Sequence, residues 1–107
     1  MRWYKHLYMG EKARKKRFRI LQGIRKNRLQ PGVHVITPAS GSSNILDILP
    51  SAVLLQEYYR KQEKLLILGV GADYVESLGV AGEIVEDMYR ETGGFDLDEF
   101  LQINGQR

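Results

Sequence analysis

The sequence predicts a small single-domain α/β protein with two or three strands, at least two of them parallel, packed with helices and preceded by a basic N-terminal helix. A chain of 107 residues with 43% hydrophobic and 27% charged residues is typical of one globular domain. Two apolar runs lie roughly 25 residues apart and enclose a helical segment, which favours a parallel crossover over a hairpin. No stretch approaches the roughly 18 apolar residues of a membrane span. Cysteine is absent, so we expect a cytoplasmic protein.

The charges divide the chain into two parts. Residues 1–28 hold eleven basic residues against one acidic residue, a net charge of +10, and residues 29–107 hold five against twelve, a net charge of −7. The formal net charge of +3 for the whole chain conceals this division. We therefore expect residues 1–28 to be a basic helix within the same domain and residues 29–107 to be an acidic α/β core. A dense cation cluster attracts polyanions, whereas an acidic surface repels them.

The first half of the chain predicts one long helix and one strand. Residues 2–27 contain no proline and are rich in Lys, Arg and Leu, which favours a helix, with a break near Gly10 as the alternative. Pro31-Gly32 then predicts a turn. Residues 33–37 (VHVIT) form a β-branched run that predicts a buried strand. Residues 45–49 (ILDIL) fit either a short strand or a helical turn.

The second half predicts a strand followed by a helix. Residues 64–70 (KLLILGV) form an apolar run bounded by charged residues and glycine, as in a buried strand. Asp73 and Glu76 have the spacing of a capping box at the start of a helix over residues 74–90. We expect the strands at 33–37 and 64–70 to be neighbours, with this helix packed across them. Six residues should then be largely buried: Leu66, Leu68, Leu78, Ile84, Val85 and Met88.

A cluster of six cations within eight residues is the main candidate binding site. On a helix such a cluster surrounds about two turns. Phosphate backbones favour this density, because each neutralised phosphate releases a counterion. An acidic protein surface or a second copy of the chain would also complement the charge. The cluster comprises Lys12, Arg14, Lys15, Lys16, Arg17 and Arg19.

An aromatic group precedes this cluster. Trp3, Tyr4 and Tyr8 need burial, and an exposed aromatic patch usually marks an interface. We therefore expect this end of the predicted helix to dock on the domain or on a second copy. The cation cluster would then lie beside acidic residues of the last helix, such as Glu83, Glu86 or Asp87.

Two glycine- or serine-rich turns are weaker candidates for an anion site. Gly69 and Gly71 stand between a strand and a helix, where a dinucleotide-binding fingerprint has its first two glycines, but Tyr74 occupies the third glycine position. Ser42 and Ser43 lie in a loop after the first predicted strand and could offer hydroxyl groups to an anion. For both segments we prefer the structural explanation: a glycine-rich turn between strand and helix at residues 69–71, and a flexible loop at residues 40–44.

The sequence contains no complete catalytic motif, and neither histidine has a partner at metal-ligand spacing. We therefore expect no metal, no cofactor and no enzymatic activity. The charge division predicts a protein-interaction module that self-associates or binds an acidic protein through the basic segment. The alternatives are a nucleic-acid-binding accessory protein and a small nucleotide- or anion-binding domain.

Overall fold

The computed structural model of the chain contains one mixed sheet of four strands. The structure describes residues 1–41 and 43–106. The predicted α/β class is confirmed, but the sheet has four strands and not the two or three expected. The elements follow in this order: β1 (Arg2–Met9), α1 (Glu11–Lys15), α2 (Arg17–Arg25), β2 (His34–Pro38), β3 (Leu46–Pro50), a 3-10 helix (Ser51–Leu55), α3 (Glu57–Arg60), β4 (Leu66–Gly71), α4 (Tyr74–Thr92) and α5 (Leu97–Ile103).

The strands lie in the order β1-β4-β2-β3, so the two strongest predicted strands, β2 and β4, are neighbours as expected. Their predicted parallel orientation is wrong: β2 is antiparallel to both β3 and β4. The reason is the ambiguous segment at residues 45–49, which is strand β3 and reverses the chain before it crosses to β4. The parallel pair of the sheet is β1 with β4.

The first predicted helix is corrected by the structure. Residues 2–9 form strand β1, and only the part after Gly10 is helical, as α1 and α2 with a break at Lys16. Side chains of β1 alternate between the two faces of the sheet: Trp3 packs with one core and Tyr4 with the other. Aromatic residues suit such a strand, and pairing with β4 satisfies its backbone. The basic helix therefore follows a strand and does not begin the chain.

Two cores lie on opposite faces of the sheet. Helices α1 and α2 and the 3-10 helix cover one face, and α4 and α5 cover the other. Strand β4 is buried on both faces, since Ile67 packs into the first core and Leu68 into the second. Covering both faces explains why the β4 segment is continuously apolar.

Helix α4 begins where predicted, because the Asp73 carboxylate accepts a hydrogen bond from the Glu76 N–H at 2.7 Å. Its buried face differs from the prediction. Leu66, Leu68, Ile84 and Met88 are buried as expected, but Leu78 is 47% exposed and Val85 is only half-buried.

The buried stripe of α4 instead passes through Ser77 and Val80. A Cβ atom on Gly71 would lie 2.1 Å from the Ser77 Oγ atom. The missing side chain thus lets the small serine approach β4 closely, and this contact turns Leu78 outward.

Candidate functional site: a basic surface on two short helices

The six predicted cations lie on α1, on α2 and at the break between them, and we call these residues together the basic surface. All six residues are exposed: Lys12, Arg14, Lys15, Lys16, Arg17 and Arg19. Among the described residues, Lys12 is the member of this set that forms an ion pair, with its Nζ atom 3.1 Å from the Asp73 carboxylate. Arg14 and Arg17 donate to the carbonyl oxygen and the sulfur of Met9.

The other three cations, Lys15, Lys16 and Arg19, have no side-chain hydrogen bond or ion pair within the described part of the chain. They project from the break between α1 and α2 and from the first turn of α2. That turn contains no acidic residue, and no side chain caps it. Positive charge near a helix N-terminus is unfavourable, because the terminal N–H groups are themselves partly positive. The arrangement therefore favours an external anion.

Glu76 attaches α1 to the rest of the domain. Its carboxylate accepts hydrogen bonds from three backbone N–H groups, of Lys12 at 2.7 Å, Ala13 at 3.0 Å and Ala72 at 2.9 Å. Burial raises the pKa of this carboxyl group, but the three donors outweigh burial and hold the pKa below its ordinary value. Gly10 leaves room for this carboxylate, since a Cβ atom there would lie 2.2 Å from the Glu76 Cδ atom. The basic surface is thus held in place by an acid some sixty residues away in sequence.

The glycine turn at Gly69 and Gly71 is closely packed by the chain itself. A Cβ atom on Gly69 would lie 2.9 Å from Val80, and one on Gly71 would lie 2.8 Å from the Ser77 backbone nitrogen. The Ala72 N–H, which follows this turn, already donates a hydrogen bond to the Glu76 carboxylate. These contacts account for both glycines through close packing of α4 on β4.

The serine loop is bound by an acid of the following strand. The carboxylate of Asp47 accepts from the backbone N–H and the hydroxyl group of Ser40, at 3.1 Å and 3.3 Å. Ser43 is exposed, and Ser42 lies outside the described residues. The Asp47 carboxylate lies in β3 and is bound to the loop through Ser40, so its negative charge disfavours an anion beside the loop.

The aromatic residues are largely accommodated within the domain. Tyr4 is 3% exposed in the second core, while Trp3 and Tyr8 are half-buried. The Arg25 guanidinium lies 5.4 Å from the centre of the Trp3 ring. The aromatic group thus docks on its own domain, as one of the two expected arrangements.

The acidic face of α4 is not the partner of the basic surface within the chain. Asp87 accepts a hydrogen bond from the Tyr8 hydroxyl at 2.5 Å and also binds Arg90. The pKa of Tyr8 is raised, mainly because the hydroxyl group is partly buried and secondly because it donates this hydrogen bond to Asp87. Asp73 and Glu76 are acids that contact α1, and the pKa of Asp73 is lowered by the Glu76 N–H and by Lys12.

Two grooves flank α2. The β1–α2 groove has a volume of about 460 Å³ and contains Arg17 and Arg25, which are engaged with Met9 and Trp3. The second, which we call the turn groove, lies between α2 and residues 28–33 and has a volume of about 390 Å³. Sequence reasoning missed the turn groove, because its walls meet only after the chain turns back at the end of α2.

The described residues contain no group of three or more His, Asp or Glu side chains suited to holding a metal ion. Within the same residues, no helix is both long and apolar enough to cross a membrane. No family model, curated protein or solved structure matches this chain.

Proposed function

We propose that this protein binds nucleic acid through the basic surface on α1 and α2. The observation that carries the proposal is the exposure of all six cations, of which Lys12 alone is ion-paired within the described residues. A packed acidic cover from the same chain would have favoured a purely structural role. An exposed and unneutralised cluster instead favours a phosphate-rich partner, because each phosphate contact releases counterions.

The break at Lys16 supports this proposal. The break redirects the chain between two short helices, and both helices carry exposed cations close to it. Phe18 lies among these cations in sequence and is 79% exposed. An exposed aromatic ring among cations is suited to stacking on an unpaired base. Stacking and phosphate contact together would supply affinity without demanding a particular base sequence.

Self-association through the basic segment has less support. The reason to expect a second copy was the need to bury the aromatic group, and the domain itself already buries or half-buries Trp3, Tyr4 and Tyr8. Asp87, one of the acids expected to face the cations, is engaged with Tyr8 and Arg90.

The test measures binding to a fluorescein-labelled 20-nucleotide single-stranded RNA or DNA by fluorescence anisotropy at several salt concentrations. We expect binding at low salt that weakens steeply as salt rises. The log–log slope should approach about −4 if all six cations contact phosphates of a single strand. The triple variant Lys15→Glu, Lys16→Glu, Arg19→Glu should abolish binding.

A matched control reverses the same number of charges elsewhere. Arg60, Lys61 and Lys64 are exposed and precede β4, whereas the basic surface follows the far end of the parallel strand β1. Their triple reversal to Glu should leave most of the binding intact. Equal losses in the two triple variants would indicate attraction by net charge alone. The absence of binding at low salt, with a dimer in sedimentation that the first triple variant dissociates, would favour self-association instead.

A further inference from the structure

We infer that the turn groove holds one unpaired nucleotide of a single strand, with its phosphate on Lys16, Arg19 and Arg28 and its base against Leu29 and Pro31. This inference rests on the proposed function and specifies which form of nucleic acid the surface takes. The shared ligand chemistry is that of a nucleoside monophosphate, either free or within a strand.

The turn groove is a built feature of the fold. Asn27 adopts a left-handed conformation with φ of 55°, and the Arg28 N–H donates to the Gly23 carbonyl at 2.8 Å, so the chain turns back along α2. The Gln30 side-chain amide donates to the Ile20 carbonyl at 3.1 Å. Gly23 makes room for this amide, since a Cβ atom there would lie 2.3 Å from its nitrogen. The wall of the groove is therefore tied to the helix at two points.

The charges of the turn groove are available to a ligand. Its lining contains Lys16, Arg19 and Arg28 and no acidic residue, and none of the three cations has a side-chain partner within the described part of the chain. The β1–α2 groove has fewer uncommitted cations: Arg17 and Arg25 are engaged with Met9 and Trp3, which leaves Lys5, whose side chain has no partner among the described residues. A phosphate group entering beside α2 would thus meet more uncommitted positive charge in the turn groove.

The apolar part of the lining distinguishes a nucleotide from a simple anion. Leu29 is 64% exposed at the rim, and Pro31, Val33 and Ala72 also line the groove. A phosphate ion has no apolar part that could pack on this surface, whereas the base of a nucleotide whose phosphate binds the cations would cover it. The volume of about 390 Å³ lies within the usual range for small-ligand sites. Bases in a duplex are stacked and paired, so only an unpaired base can enter.

The experiment compares a labelled single-stranded octamer with a duplex of equal length, using Leu29→Ser as the test variant. The control is Val75→Ser, which changes an exposed apolar residue on α4. We expect Leu29→Ser to weaken single-strand binding about five- to tenfold, because the base no longer covers the apolar leucine side chain, and to leave duplex binding unchanged. Val75→Ser should change neither.

A second pair of variants tests the phosphate contact. Arg28→Gln should weaken single-strand binding more than Arg25→Gln, which removes the same charge from the β1–α2 groove. Equal effects in both pairs of variants, with binding still abolished by the triple reversal, would overturn the groove site and leave the proposed function standing. If the wild-type protein binds no nucleic acid, both the groove site and the proposed function are overturned.

Titration with adenosine monophosphate and with inorganic phosphate, followed through backbone amide shifts, separates the sources of the ligand. Shifts at Leu29 and Gln30 with the nucleotide, but not with phosphate, are expected. A free nucleotide that binds as tightly as the octamer would overturn the assignment to a strand.

Discussion

Replacing Glu76 by Gln should destabilise the domain more than any other single substitution of an acidic residue in α4. The Glu76 carboxylate accepts hydrogen bonds from three backbone N–H groups, two in α1 and one at Ala72, with N···O distances of 2.7–3.0 Å. A carboxamide has one acceptor oxygen. That oxygen could replace the Oε1 atom, which accepts from Ala13 and Ala72, but the NH₂ group would then face the Lys12 N–H. Hydrogen bonds to a charged group contribute about 1.5–3 kcal/mol each, and water can replace part of this at a half-buried site.

We therefore expect Glu76→Gln to lower the free energy of unfolding by about 2–4 kcal/mol, out of a typical total of about 5–15 kcal/mol. The corresponding fall in Tm is about 10–20 °C for a domain of this size. Urea unfolding at pH 7, followed by circular dichroism, measures the difference. Glu86→Gln, an exposed acid on the same helix, is the control and should change stability by less than about 0.5 kcal/mol.

The pH dependence of this difference tests its electrostatic origin. The pKa of Glu76 is lowered in the folded protein, so its carboxylate stabilises the fold above the ordinary pKa of 4.5 and loses that effect as pH falls through the lowered value. The difference in free energy of unfolding between wild type and Glu76→Gln should thus be largest at pH 7 and smaller at pH 3. A loss below about 0.5 kcal/mol at pH 7, or a gap that does not shrink in acid, would refute the role given to this carboxylate.

Three further predictions concern other parts of the domain. Gly71→Ala should lower the free energy of unfolding by about 2 kcal/mol or more, measured by urea unfolding, because its Cβ atom would collide with the Ser77 side chain and backbone. Tyr8→Phe should lower the free energy of unfolding by about 1.5–3 kcal/mol at pH 7, because the hydrogen bond to Asp87 is lost. The pKa of Tyr8 is raised above 10.0 in the folded protein, so the stability difference between wild type and variant should shrink as the pH rises above 10. Urea unfolding at a series of alkaline pH values would measure this change. Arg19→Glu should raise stability by about 0.3–1 kcal/mol at low salt, seen as a higher Tm, and should weaken nucleic-acid binding in anisotropy. Unchanged binding, or a lower Tm, would contradict the idea that Arg19 serves binding at the expense of stability.

The candidate site was half predictable from the sequence. The six cations were found from charge density alone, because exposed charge needs no partner within the fold. The turn groove was not, since it depends on the left-handed Asn27 and on Gln30 folding onto Gly23. Glu76 was recognised only for its spacing from Asp73, and its bonds to α1 join segments that are distant in sequence.

By itself the sequence determined the features that depend on neighbouring residues. It predicted strands β2 and β4 from their apolar runs, the start of α4 from Asp73, and the division of charge. Each follows from local backbone preference, capping or composition, which act within a few residues.

Only the tertiary structure decided the features that need a distant partner. Residues 2–9 have a composition that also suits a helix, and they are a strand because β4 offers them a parallel partner. The direction of β4 relative to β2 depends on the extra strand β3, and the inward face of α4 depends on how closely Ser77 approaches Gly71. In each case alternatives of similar local free energy are separated by hydrogen bonds and packing between residues far apart in the chain, which local sequence patterns do not encode.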